Sequence, residues 1–208
     1  MMKRNLRIAC ALAALAAIGA GCATMSDQEA AQKALQVMKA SFNERGQAKL
    51  DRLDQDAAQA MCSRPPADVI PKEMAERIEK ANFTSLKYPA DGKLLGNWRE
   101  GERIAQSGQG MQYSDDPKRP SGANCYACHQ ISKEEISFGT IGPSLYHFGK
   151  LRGNSEAIQR YTYGKIYNAQ AYTACSNMPR FGHNDILTVQ QMKDVTALLL
   201  DPDSPVNK

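Results

Sequence analysis

Apolar positions along this chain recur at intervals of three and four, the spacing of one face of an α-helix. No segment of any length alternates apolar and polar residues as a half-buried strand would. Ala34, Leu35, Val37, Met38 and Phe42 follow the helical spacing, as do Leu50, Leu53 and Ala57. Ser26, with Glu29 three residues on, reads as an N-cap and its capping-box partner. Gly46 is expected to divide two helices and Pro65-Pro66 to stop the second. Pro71 suits the first turn of a short helix over 72–80, with Met74 and Ile78 on one face. Tyr88-Pro89-Ala90-Asp91-Gly92 is a turn cluster, and a domain boundary is placed near residue 90. Upstream of it, residues 24–90 form a helical extension with few large apolar residues, expected to pack against something rather than fold alone.

The texture changes beyond Gly96. A helix is predicted over 97–106, with Trp98, Ile104 and Ala105 on its apolar side. Residues 108–124 read as loop, and 139–153 are punctuated by glycine and proline. A helix is predicted over 156–163 and a turn over 177–182. Val189, Met192, Val195 and Leu199 space a final helix that ends at Asp201-Pro202. The fold class is all-α with long loops, and residues 91–208 are taken as one domain.

Composition narrows the function. Hydrophobic residues make up 42% and charged residues 23%, a globular balance that excludes wholesale disorder and a polytopic membrane protein. Residues 1–23 read as a secretory leader: Lys3, Arg4 and Arg7 precede an apolar run over 8–20 that is short for a bilayer span. Cleavage after Ala23 fits the small-residue rule. The alternative is a lipobox-like site with lipidation at Cys22, although Gly19 stands where that motif prefers a bulky aliphatic residue. Either route exports the chain, so the expected location is the periplasm, with a possible lipid anchor at Cys22. Taking the three leader cations from 26 basic residues leaves 23 against 22 acids, so the mature chain is a poor candidate for nucleic-acid binding. One Trp and five Phe make a thin aromatic core, which leaves room for another filler.

Cys10 leaves with the leader, and Cys22 leaves or is acylated, so four of the six cysteines remain. Two of them belong to Cys125-Tyr126-Ala127-Cys128-His129. Cysteines three apart lie on one side of a helical turn, where each thiol can form a thioether with one vinyl group of haem, and His129 can reach the iron from the same side. One covalently attached haem c is therefore expected. A thioredoxin-like redox pair is the first alternative; it belongs at the end of a strand, and no strand is predicted. A zinc site is the second; it needs two more ligands, which Cys62, Cys175, His147 or His183 could supply. Cys62 and Cys175 are an even remainder in an oxidising compartment, so a disulfide between them is expected, against free thiols or a bond from Cys62 to a partner chain. For a second axial ligand the candidates are His147, Met178, His183 and Met192. Met178 is favoured because turn residues flank it and Pro179 stiffens it, whereas Met192 falls on the last predicted helix and reads as core. An iron with both axial positions filled moves one electron and binds no substrate.

From Gly96 onward the chain resembles a class I cytochrome c. The features occur in order: a first helix with Gly101-Glu102, the motif Cys125 to His129, Gly142-Pro143-Ser144-Leu145, and Met178-Pro179 before a last helix. The resemblance implies that a backbone carbonyl at the Gly-Pro loop accepts the His129 Nδ1 hydrogen, with Pro143 orienting the ring. The link over 106–124 is longer than that family's. A narrower resemblance rests on residues 123–130, 141–145 and 175–182: the chain looks like SoxX, the family of monohaem subunits of SoxAX cytochromes in bacterial thiosulfate oxidation. That resemblance implies a heterodimer with a SoxA-like cytochrome, transient contact with a SoxYZ-like carrier, and electron delivery to a small acceptor cytochrome. As an L-cysteine S-thiosulfotransferase component the chain would relay electrons and not be catalytic alone. The alternative is a freely diffusing periplasmic cytochrome carrier.

Overall fold

The structure is a computed structural model and describes residues 25–63 and 70–208. The expected leader over 1–23 and the Pro65-Pro66 stop lie outside the described residues. The chain divides into two compact units, Met1–Asn43 and Glu44–Lys208. The unit with the Cys-His motif thus begins at Glu44 and takes in most of the expected extension.

Among its described residues the first unit carries helix α1 (Asp27–Ser41), opened by a capping box between Ser26 and Glu29. Leu35, Val37, Met38 and Phe42 stand exposed on it and just beyond it.

Among its described residues the second unit's regular elements are helices joined by long loops. A tight turn pairs Arg45 with Ala48, with Gly46 at φ +52°. A 3-10 turn follows at Leu50–Leu53, then α2 (Ala57–Cys62). The spacing of Leu50, Leu53 and Ala57 predicted one helix here. The structure breaks it because the Asp56 carboxylate accepts the Gln59 N–H and starts a new capping box. Next come α3 (Lys72–Thr84) and α4 (Trp98–Gln106), the second capped by Asn97. Helix α3 outruns its predicted end at residue 80: buried Asn82 bonds the Ile78 carbonyl and the Asn168 side chain, both at 2.8 Å.

Helix α5 (Phe148–Arg152) forms where only loop was expected. It is held from outside: the Lys150 N–H donates to Asn207 at 3.0 Å and the His147 N–H to the Val206 carbonyl at 2.8 Å. Helix α6 (Glu156–Tyr167) runs past its predicted end because Gly164, Ile166 and Tyr167 are buried. Within it, Gly164 leaves the space that the Tyr172 hydroxyl occupies. Helix α7 (Val189–Leu200) opens on a Thr188 capping box and is buried from Met192 to Leu200.

Helix α7 is the spine. Helix α4 crosses it at Gly101, where a Cβ would overlap the Asp194 backbone. The Asp194 carboxylate caps the contact by accepting the Asn97 N–H at 2.8 Å. One apolar cluster gathers Leu94, Tyr163, Ile166, Tyr167, Phe181 and Met192, with Met178 packed at its border. The other gathers Ala105, Tyr126, Ile131, Leu198, Leu200 and Val206. Both draw on α7, so residues at either end of it report on one folded body.

Candidate functional site

Cys125, Tyr126 and Ala127 form a single 3-10 turn, entered through Asn124 at φ +46°. Such a turn has three residues per revolution, so Cys125 and Cys128 stack on one side of it. The His129 N–H closes the turn onto the Cys125 carbonyl at 2.9 Å. Neither cysteine is in a disulfide. Burial pushes the Cys125 thiol up to about 12, so it carries no thiolate at neutral pH. The Tyr126 hydroxyl lies 3.1 Å from that of Ser132, which plants the turn in the second cluster.

The loop over 139–145 is zipped to this turn. The Gly139 N–H donates to the Tyr126 carbonyl at 2.8 Å, the Gly142 N–H to the Cys128 carbonyl at 2.9 Å, and the Leu145 N–H to the Gln130 carbonyl at 2.7 Å. These bonds bring the Pro143 carbonyl to 2.7 Å from His129 Nδ1. A carbonyl only accepts, so Nδ1 carries the hydrogen and Nε2 keeps its lone pair. Gly142 is obligatory because a Cβ there would run into the imidazole. Ile141 beside it is 75% exposed.

Met178 sits half-buried in the irregular loop between α6 and α7, against the first apolar cluster. Its N–H donates to Ser176 Oγ at 3.2 Å. Cys175, in the same loop, is bonded to Cys62, with Cα atoms 5.4 Å apart. Arg180 is buried and pairs with Asp56 at 2.5 Å. Asp56 is partly shielded from solvent, which alone would raise its carboxyl. The Gln59 N–H and the Arg180 guanidinium outweigh that and hold it below the usual carboxylate range. The link between Asp56 and Arg180 was not expected from the sequence, and neither was the bond from the Ala174 N–H to Glu79 at 3.0 Å. Only the Asp56-x-x-Gln59 spacing, a helix start, was there to be read.

Two of the other candidate ligands are engaged elsewhere in the fold. His147 Nε2 donates to the Lys208 carbonyl at 2.6 Å and its ring stacks on Tyr146. Met192 is buried in the first cluster. His183 stands exposed. Among the described residues, no three of His, Cys, Asp or Glu come together as a metal site needs.

The residues present fit a haem. Two free cysteines stack on one turn, an imidazole is locked with Nε2 free, and apolar Ile141 lies open beside it. The Tyr163 hydroxyl, buried within the cluster that Met178 borders, finds no partner among protein atoms. Cys125 and Cys128 would carry the thioethers and His129 would ligate the iron through Nε2. Bound there, haem c supplies one-electron redox chemistry. The protein's part is to fix the imidazole tautomer through the Pro143 carbonyl.

Comparison with known proteins agrees. A cytochrome c family model matches residues 118–201, a span that includes the motif, the Gly-Pro loop, Met178 and α7. A protein of Aquifex aeolicus (strain VF5) described as an uncharacterized lipoprotein is 38% identical over 157 residues, 74% of this chain and 73% of its own length. Among the described residues the fold is helical without strands, and with the haem-attachment turn and the family match over 118–201 it is that of a class I cytochrome c, whose domain implies covalently bound haem c.

Proposed function

We propose that this electron-transfer cytochrome is the electron-accepting, SoxX-like subunit of a thiosulfate-oxidising complex, with one haem ligated by His129 and Met178. The observation that carries the reading is the combined resemblance of residues 123–130, 141–145 and 175–182. The locked His129 tautomer and the turn-borne Met178 support the ligation. A neutral thioether favours ferrous iron, which suits an acceptor of electrons. With both axial positions filled the chain has no place for thiosulfate, so that chemistry belongs to a SoxA-like partner, and a SoxYZ-like carrier and a small acceptor cytochrome engage transiently. The description of the Aquifex aeolicus relative as a lipoprotein supports the Cys22 route, which would tether the protein on the periplasmic face of a membrane. A tethered protein suits a complex better than a diffusing carrier.

Affinity purification from the native host tests the complex. A larger cytochrome should copurify, and thiosulfate should reduce this chain's haem only with that partner and carrier present. Reduction by thiosulfate at equal rate without a partner would overturn the assignment. For the ligation, Met178→Ala should abolish the ferric charge-transfer band at the red end of the spectrum and lower the potential. An unchanged spectrum would overturn it.

A further inference from the structure

Three contacts from outside the minimal cytochrome grip the Met178 loop. The Ala174 N–H donates to Glu79 of α3 at 3.0 Å. Cys175 is bonded to Cys62. Arg180, its side chain 7% exposed, pairs with Asp56. Two of the anchors precede Met178 and one follows it, so the loop is held on both sides. Asp56 and Cys62 stand at the two ends of the same short helix, α2. Residues 47–52 tie the same segment to the long loop before the haem motif: Gln47 Nε2 donates to the Gln112 carbonyl at 2.8 Å and Arg52 to the Met111 carbonyl at 2.5 Å.

We propose that Asp56, Cys62 and Glu79 are positioning residues that brace the Met178 loop and keep small ligands from the sixth coordination position. The proposal rests on Met178 being the axial ligand. The physical reason is an equilibrium between closed and open loops. A thioether is a weak, flexible ligand, and an external ligand such as cyanide binds only molecules in which the loop has opened. Apparent cyanide affinity therefore scales with the open fraction, and interactions made only in the closed loop lower that fraction. Removing any one of the three anchors should raise the open fraction to the extent that the anchor had stabilised the closed loop.

The experiment titrates the full-length, haem-loaded ferric protein with cyanide. Cys62→Ser with Cys175→Ser should raise the apparent affinity about tenfold or more, the range of a coupling between sites. Asp56→Asn preserves the helix cap, and with Glu79→Ala it should raise the affinity severalfold without touching a cysteine. Val206→Ala, a cavity in the other cluster, should lower stability and leave cyanide affinity unchanged, which separates bracing from general weakening. Equal affinity in wild type and Met178→Ala would overturn the ligation and the brace together. Tight binding by Met178→Ala alone, with wild-type affinity in every brace variant, would overturn the brace and leave the ligation standing. If the double-serine protein does not fold, Asp56→Asn with Glu79→Ala decides alone: a rise in affinity supports the brace and no rise overturns it.

Discussion

The Pro143 carbonyl accepts the His129 Nδ1 hydrogen at 2.7 Å, and it can do so only because Gly142, directly before it, has no side chain to strike the ring. The Gly142 backbone is pinned by its own bond to Cys128 and cannot retreat. Gly142→Ala should therefore rotate or displace the imidazole. We expect a shifted reduction potential and a loss of about 1–3 kcal/mol in holoprotein stability. Redox titration with denaturant unfolding checks both, and a variant identical to wild type in each would remove Gly142 from the site.

Gly101 occupies the crossing of α4 and α7, against the Asp194 carbonyl. Gly101→Ala puts a methyl into backbone atoms rather than a flexible side chain. The cost should be about 1–3 kcal/mol from overpacking, despite the gain in helix propensity. A lower denaturation midpoint at constant slope is the expected result.

The bridge between Cys62 and Cys175 closes 113 positions. Replacing both cysteines with serine should cost about 2–5 kcal/mol, the usual loss for a long-loop disulfide. Thermal unfolding of the holoprotein measures this, and an unchanged midpoint would show that packing alone holds residues 44–62.

Asp56 has a carboxyl held below its ordinary 3.8, so folding favours its charged form. The stabilisation is complete above pH 3.8 and is lost as pH falls through 3.8 toward the lowered folded value, where the unfolded chain takes up the proton first. The stability gap between wild type and Asp56→Asn should be constant near neutrality and shrink in that acid window. Because Asp56 is 41% exposed, solvent screening keeps the gap small. A gap that stays constant down to about pH 2 would mean that Asp56 does not titrate with folding.

Haem attachment was legible in the sequence because its chemistry sits in five contiguous residues, Cys125 to His129. The helix start at Ser26 is local as well, since a cap needs only side chains two or three positions away. The pairing of Cys62 with Cys175 followed from an even count of cysteines. The structure alone decided what depends on distant groups. Helix α5 exists because Val206 and Asn207 bond its first turn. Helix α6 continues to Tyr167 because its last turn is buried. The expected second helix broke at Asp56, where a local cap prevailed over apolar spacing. Above all, Asp56 and Arg180 are 124 positions apart, and no periodicity or motif links them. Their ion pair forms only once α2 has folded against the methionine loop, because local hydrogen bonds are encoded by neighbours in the chain whereas contacts across the fold are encoded by packing.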